Sequence, residues 1–141
     1  GWRKDDWGHG DFLPLMRRGG VDLTFSGHAH GYQRLRPMVA RGENEGHPIT
    51  HIISAGAGAS IGTKLLEESP FLVADARRFN YMPITVEPRR LHARVLSDDD
   101  EPIDEFELLK KPDGACDDSL LKQALWAEDY GRPGPPVPPY A

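Results

Sequence analysis

Three short segments in the second half of the chain, residues 84–87, 91–96 and 103–109, limit its architecture more than any other feature. Apolar and polar side chains alternate along them, imperfectly in the second, which is the period of a β-strand with one buried face. The stretches between them, Pro88-Arg89-Arg90 and residues 98–102, are turn sequences, and strands joined by such short turns pair antiparallel. We therefore predict an antiparallel meander here.

The first half of the chain combines helix and strand signals. Apolar residues of segment 10–18 recur at helical spacing, and Gly19-Gly20 follows as a stop signal. Segment 21–26 alternates apolar and polar residues, and segment 49–54 is short and rich in isoleucine, so both are predicted to be strands. The remaining stretches are predicted to be a turn-rich loop over 41–48 and an irregular connection over 62–80, with a short helix around 64–67.

The last thirty residues differ in character from the rest. Ser119 is predicted to cap a short amphipathic helix over 120–128, which presents Leu121, Leu125 and Trp126 as a stripe that docks on the domain. Residues 131–141 are rich in proline and are predicted to form an extended tail. A role of this tail as a ligand for proline-binding modules is the less favoured interpretation.

Composition excludes several classes of function. The chain has 141 residues, 38% of them hydrophobic and 28% charged, which suits one domain with one core. No run reaches the 18 or so apolar residues of a membrane-spanning helix. The net charge is -5, and Lys and Arg are scattered rather than clustered, so no nucleic-acid footprint is visible. The single cysteine, Cys116, excludes an internal disulfide and a cysteine-rich zinc module.

The first residues of the chain indicate that the sequence is partial. The first residue is Gly1 rather than Met, and the opening residues contain neither an apolar stretch nor a small-residue cleavage site. We therefore expect the chain to be a processed or partial piece of something longer.

Two histidines directly follow the predicted strand 21–26, in the sequence Gly27-His28-Ala29-His30. In an extended segment, residues i and i+2 point the same way and lie about 6–7 Å apart, while paired metals in hydrolases lie about 3.5–4 Å apart. Each imidazole could therefore reach a different metal ion. The carboxyl end of a strand is also where open α/β sheets place ligand sites. Two polar surface residues would give the same pattern, so the motif alone leaves both interpretations open.

The surrounding sequence adds a family resemblance. Residues 21–34 closely resemble the Gly-His-x-His motif of the calcineurin-like metallophosphoesterases, and among them the purple acid phosphatase branch, which typically reads Val-Asp-Leu-x-x-x-Gly-His-x-His-x-Tyr-Glu-Arg. His9-Gly10 is similar to the family's upstream His-Gly segment, and residues 52–58 look like its Gly-Ala-Gly-Gly segment. The stretch from 81 to 108 is similar to the terminal strands of these catalytic domains. The resemblance thus covers residues 1–111.

The resemblance implies a metal-dependent phosphatase site. His28 and His30 would be metal ligands as neutral imidazoles, with His30 on the metal shared with an early Asp motif and His28 on the second metal. The family uses two metal ions, iron with zinc or manganese, or two manganese ions, to bridge a hydroxide that attacks phosphorus. His9 could contact the substrate at the mouth of the cleft or could be a helix-entry residue. Tyr32 and Arg34 would orient the ligands or support the loop, Arg34 by pairing with an acidic residue.

The chain departs from the family pattern by what it lacks. The Asp-x-His, Gly-Asp and Gly-Asn-His-Asp/Glu motifs of the family are absent from this sequence, and two imidazoles cannot hold a dinuclear centre whose hard metals also need carboxylates. Gln33 stands where the family more often has Glu. We therefore predict an α/β fold. Residues 1–111 would form the carboxyl-terminal half of a layered α/β/β/α metallophosphoesterase sandwich that ends in the meander. Residues 112–141 would form a short helix and a proline-rich tail. Alone it should be inactive, and its partners are the missing amino-terminal half and a phosphate ester.

Other polar positions have ordinary explanations. His47 and His51 are expected to be structural or exposed, although His51 could orient a metal ligand by a hydrogen bond, and His92 receives no role. Gly56-Ala57-Gly58 lacks the Gly-Lys-Ser/Thr that completes a phosphate loop, so close packing beneath the metal loops is the better explanation. The acidic run 98–101 lacks the Gly and Glu spacing of an EF-hand and is predicted to be a solvated turn.

The leading functional hypothesis is metal-dependent hydrolysis of phosphate monoesters or diesters by the intact domain. The alternative is a non-catalytic interaction module that uses the same fold and binds a partner by its tail or an exposed sheet edge. The resemblance favours an exported protein, while the compartment stays open.

Overall fold

The computed structural model describes residues 15–39, 47–61 and 71–126 of the chain. Within these ranges, the helical residues 15–18 are followed by strands and one further helix, α1. In chain order the elements are β1 Leu23–Ser26, β2 Tyr32–Leu35, β3 Met38–Val39, β4 Thr50–Ser54, β5 Leu72–Ala76, β6 Asn80–Tyr81, β7 Ile84–Glu87, β8 Arg90–Ser97, β9 Pro102–Leu109, α1 Asp118–Gln123 and β10 Leu125–Trp126.

The first sheet is mixed and has the strand order β1-β4-β2-β5. β1 and β4 are parallel, with Phe25 opposite Ile52, whereas β2 runs antiparallel to both β4 and β5. Because β1 and β4 are parallel, the segments that follow these strands lie together at their carboxyl ends, and the segments that precede them lie together at their amino ends. A separate short parallel pair joins β10 to β3.

The second sheet is the predicted antiparallel meander. β8 pairs with β9 on one edge and with β6 and β7 on the other. Asn80 lies opposite Ser97 and Ile84 opposite Ala93, so β6 and β7 keep one register and form a single interrupted strand. Pro83 lies at the interruption and has no N–H to donate. Its carbonyl still accepts a hydrogen bond from the Arg94 N–H at 3.1 Å.

The core lies between the two sheets. The first sheet contributes Tyr32 and Ile52, and the second contributes two pairs of buried side chains, Ala93 with Val95 and Phe106 with Leu108. Cys116 and Leu120, from the segment after β9, complete the same cluster. Removal of this apolar surface from water is the main force that holds the two sheets together.

A buried ion pair also joins the sheets. The Arg34 side chain on β2 donates to both carboxylate oxygens of Asp104 on β9, at 2.7 and 3.0 Å. The Tyr32 hydroxyl donates to the same carboxylate at 2.7 Å. Only 9% of the Arg34 side chain and 11% of the Asp104 side chain are exposed. Arg34 also lies over the Phe106 ring, 4.8 Å from its centroid. Its guanidinium therefore interacts with both a carboxylate and an aromatic ring.

Most sequence predictions of the fold are confirmed. The chain forms an α/β fold with one mixed and one antiparallel sheet and few helices. Strands occupy segments 21–26, 49–54 and all three segments of the meander within two residues of the predicted bounds. The acidic run 98–101 is an exposed turn. Gly20, at a φ of 65°, ends the first helix as predicted, because its N–H and that of Val21 bond back to Arg17 and Met16.

Two predictions were wrong. The irregular connection expected over 62–80 contains β5, whose pairing partner β2 lies far away in the sequence. The predicted helix 120–128 begins at Asp118 and ends at Gln123, and the chain then pairs as β10 with β3. The cap is Asp117 rather than Ser119, because the Asp117 carboxylate accepts the Ser119 N–H. The residue of this helix that belongs to the core cluster is Leu120; the side chains of the predicted stripe at 125 and 126 lie outside the description.

Several predictions fall on residues outside the described ranges. These are the start of the first helix, His9, most of the loop 41–48, the helix 64–67 and the proline-rich tail 131–141. The domain boundary after residue 111 stays a prediction.

Candidate functional site

The two histidines of the Gly-His-x-His segment lie in the turn between β1 and β2. β1 ends at Ser26 and β2 begins at Tyr32, so His28 and His30 lie at the edge where parallel β1 and β4 end. Both side chains are exposed. This is the edge at which open α/β sheets bind ligands.

His28 has an uncommon backbone conformation. Its φ is 76°, in the left-handed region that L-residues with a Cβ seldom adopt. The turn is tightened at the same point, because the Ala29 N–H donates to the Gly27 carbonyl at 3.0 Å. A residue in this region costs about 1–3 kcal/mol, and such residues cluster at functional sites. Asp100, in the exposed turn of the meander, has the same kind of conformation with a φ of 63°, so the conformation at His28 marks a tight turn and by itself assigns no function.

His30 is held by its ring nitrogen. Its Nδ1 lies 2.7 Å from the Ser60 carbonyl oxygen, and a carbonyl can only accept a hydrogen bond. Nδ1 therefore carries the proton in the neutral ring, and Nε2 carries the lone pair that a metal ion requires. Metal-binding histidines typically donate such a hydrogen bond from the ring nitrogen that does not bind the metal, which fixes the tautomer.

The small-residue turn after β4 packs against the histidine turn. The Ala55 N–H donates to the Gly31 carbonyl at 2.8 Å. A Cβ on Gly56 would lie 2.0 Å from Nδ2 of Asn80, and that amide is held by Ser54 and by the Arg78 carbonyl. Close packing therefore explains Gly56, as predicted, but not Gly58, which has open space around it and a φ of 83°.

Arg77 is a residue near the site that the sequence reasoning missed. Its guanidinium donates to the His30 carbonyl at 3.1 Å and lies 3.7 Å from the Asp75 carboxylate. It follows β5, the strand that was not predicted, so the sequence offered no sign that it would reach the histidine turn.

Gly31 occupies a position that other residues would strain. Its φ is 140°, and a Cβ there would lie 2.8 Å from the Ala76 carbonyl oxygen, a backbone atom. We expect Gly31→Ala to lower the free energy of unfolding by about 1–3 kcal/mol, through strain and the shift of β5. Urea unfolding measures this loss.

Two alanine substitutions in the same region serve as controls. Gly27 has open space around it and no positive φ, so Gly27→Ala should change stability by less than about 0.5 kcal/mol. Gly58 has a φ of 83° and open space, so its variant isolates the backbone strain. Equal stability of the Gly31 and Gly27 variants would contradict the close packing.

Tyr32 and Arg34 lie in the buried layer between the sheets. Both donate hydrogen bonds to Asp104. Burial, and to a smaller extent the charge of Asp104, raises the pKa of the Tyr32 phenol, which therefore stays neutral. Arg34 thus pairs with an acidic residue. A role for these two residues in support of the histidine turn, which enters β2 at Tyr32, stays a prediction.

The other histidines are held elsewhere. His51 Nδ1 bonds the Thr24 hydroxyl at 2.7 Å, and burial lowers the pKa of its ring. His92 lies in the meander, 2.6 Å from the Glu105 carboxylate. His47 lies at the opposite end of β1, where its Nε2 is 3.1 Å from the Val21 carbonyl oxygen.

The donors at His28 and His30 fit two metal-ligand positions of a larger centre. Both are imidazoles, and His30 presents the correct tautomer. Across the described ranges, no third His, Cys, Asp or Glu gathers with them in a metal-binding group. Hard metals such as iron and manganese also need carboxylates, so these two residues do not make a complete site within the described ranges, and their role as metal ligands stays a prediction.

Comparisons with known proteins bear on the fold. No protein-family model matches the chain, and no curated protein matches it. A solved structure of a purple acid phosphatase from yellow lupin (Lupinus luteus) seeds is similar, with a TM-score of 0.65 and 18% sequence identity over 78% of this chain. The chain spans only 21% of that protein. The likeness supports a phosphoesterase-like fold.

No helix in the described part of the chain is long and apolar enough to cross a bilayer.

Proposed function

We propose that this chain supplies the Gly-His-x-His metal ligands of a domain that hydrolyses phosphate esters. The observation that carries the proposal is the histidine turn itself. His28 and His30 project from a strained turn at the carboxyl edge of the mixed sheet, in a fold similar to that of a purple acid phosphatase. The rest of the site, including its carboxylates, would come from the missing amino-terminal half of the domain.

Each nearby group has a defined task in this proposal. The Ser60 carbonyl holds the Nδ1 proton of His30 and so directs Nε2 to a metal ion. Arg77 fixes the His30 backbone through its carbonyl. Gly31 and Gly56 let the adjoining segments approach closely. Together these contacts would fix the two imidazoles before the substrate binds, which reduces the cost of ordering the site.

Two bound metal ions, such as iron with zinc or manganese, or two manganese ions, would supply a hydroxide nucleophile and positive charge for the phosphate oxygens. The chain's own contribution is geometric. His28 and His30 lie in a turn and not in the extended segment from which their spacing was predicted, so the turn sets the separation of their rings. In this proposal each ring serves a different ion of the pair.

The proposal is tested by hydrolysis with the longest natural version of the protein that contains this chain. We expect turnover of an aryl phosphate monoester, loss of turnover after treatment with a chelator, and recovery when metal ions are restored. An aryl phosphodiester measured in parallel distinguishes a monoesterase from a diesterase. Absence of turnover with every metal loading would contradict the proposal and favour the non-catalytic interaction module.

A further inference from the structure

A second group of potential ligands lies at the opposite end of β1 from the histidine turn. Asp22 directly precedes β1, and His47 approaches the start of β4, the parallel neighbour of β1. The Thr50 N–H donates to the Asp22 carbonyl at 2.9 Å and ties these two entries together. Lys110 and Cys116 form an isolated β-bridge after β9 and lie in the same place. Four side chains of different chemistry thus meet at one point.

The spacing of three of these groups matches a zinc site. The ligand atoms of Asp22, His47 and Cys116 all lie within 4.8 Å of one another. The His47 Nε2 is 3.4 Å from the Asp22 Oδ1, and the Cys116 Sγ is 3.8 Å from the same oxygen. Bonds of about 2.0–2.3 Å in tetrahedral geometry place zinc ligands about 3.3–3.8 Å apart. The described structure therefore already holds two ligand pairs at the required separation.

We propose that Asp22, His47 and Cys116 form a zinc-binding site with one open coordination position. The donor set of one carboxylate, one imidazole and one thiolate selects zinc over magnesium and calcium, which prefer oxygen ligands. On binding, the thiol releases its proton to solvent. The His47 proton moves from Nε2, which now faces the Val21 carbonyl, to Nδ1. No residue of this site belongs to the histidine turn.

Lys110 occupies the position of the cation in the absence of metal. Its Nζ lies 2.5 Å from the Asp22 Oδ1 and 3.7 Å from the Cys116 Sγ. Lys110 pairs with the Asp22 carboxylate as an ammonium, the ordinary form of a lysine at neutral pH. An ammonium has no lone pair to ligate a metal. Zinc must displace it, and the long side chain, 22% exposed, can swing into solvent.

Displacement of Lys110 gives the proposal its sharpest consequence. Removal of the ammonium leaves the Asp22 and Cys116 ligands without a competing cation, so Lys110→Met should bind metal about tenfold more tightly or better. Lys111→Met is the matched control, because Lys111 pairs with the exposed Asp118 at 2.6 Å. That variant should bind like the unsubstituted chain.

The experiment is a titration of the 141-residue chain with Co²⁺, followed by competition with Zn²⁺. His28→Ala and His30→Ala are introduced throughout, so that metal at the histidine turn cannot contribute. Cys116 is the only cysteine, so a thiolate-to-cobalt charge-transfer band reports this residue alone. We expect the band, its loss in Cys116→Ser, its displacement by Zn²⁺, and tighter binding with Lys110→Met.

A second measurement requires no substitution at the site. Cys116 is buried, so its alkylation requires local opening. Zn²⁺ should slow that reaction further in the unsubstituted chain, as judged by mass spectrometry, and excess chelator should restore the rate. Absence of the charge-transfer band both with Lys110 present and in Lys110→Met, or alkylation at an unchanged rate with Zn²⁺, would overturn the proposal. The cluster would then be an ion pair that only packs β1 against the segment after β9.

Discussion

Substitution of Asp104 by asparagine is expected to lower the free energy of unfolding by about 3–5 kcal/mol, the usual cost of leaving one partner of a buried ion pair uncompensated. Asp104 accepts from Arg34 twice and from Tyr32 once, across the layer between the two sheets. The asparagine keeps the shape and one acceptor oxygen, but it removes the negative charge beside Arg34 and places an NH2 donor where a carboxylate oxygen accepted. Urea unfolding followed by circular dichroism measures the loss.

A neighbouring substitution provides the control. Glu105 follows Asp104 on β9, but 63% of its side chain is exposed and its partner is His92. Glu105→Gln should therefore cost about 0–1 kcal/mol. The double variant Arg34→Met with Asp104→Asn should lose less than the sum of the two single losses, because the charges interact directly. Equal losses for the Asp104 and Glu105 variants would show that the inter-sheet pair contributes no more than a surface contact.

His28→Ala and His30→Ala are each expected to reduce turnover of an aryl phosphate in the intact domain by at least about 100-fold. Residues that only orient a metal ligand already cost about 10–100-fold when replaced, so loss of a ligand should cost more. Alanine keeps the Cβ, so the strain at the φ of 76° of His28 is unchanged. The substitution therefore removes the imidazole and little else. Steady-state kinetics at saturating metal measures the effect.

His92→Ala tests whether the loss of turnover is specific to the two histidines of the turn. His92 lies in the meander beside Glu105, and its loss should leave turnover within about twofold, as expected for a residue that contacts neither metal nor substrate. Unchanged melting temperatures of all three variants would show that folding is intact. If the variants of His28 and His30 retain the turnover of the His92 variant, the two histidines are not ligands of the catalytic metals.

Local signals explain which parts of the fold were predictable. The Gly19-Gly20 stop signal and the turns of the meander act within a few residues, and the structure confirms the elements beside them. β5 and β2 carry weaker signals, since their pairing is set by distant partners. In β2, Gln33 and Arg34 are polar yet only 1% and 7% exposed. They are buried because Asp75 and Asp104 pair with them, and no local pattern indicates those partners.

The same distinction applies to the candidate site. The motif identified His28 and His30 because the strand and the two histidines are adjacent in sequence. Ser60 and Arg77, which hold His30 from 30 and 47 residues away, had no local signature. The zinc cluster was missed for the same reason, because Asp22, His47 and Cys116 come from three distant segments. Long-range pairing of strands brought them together, and only the structure reports that pairing.

The most direct test of the central claim is the metal content of the longest natural version of the protein. It is measured by elemental analysis, beside the His28→Ala, His30→Ala double variant. Both carry Cys116→Ser, so that the proposed zinc site does not add to the count. We expect about two metal ions per chain and the loss of both metal and phosphate-ester turnover in the double variant. Metal content and turnover that are the same in both proteins would contradict the central claim.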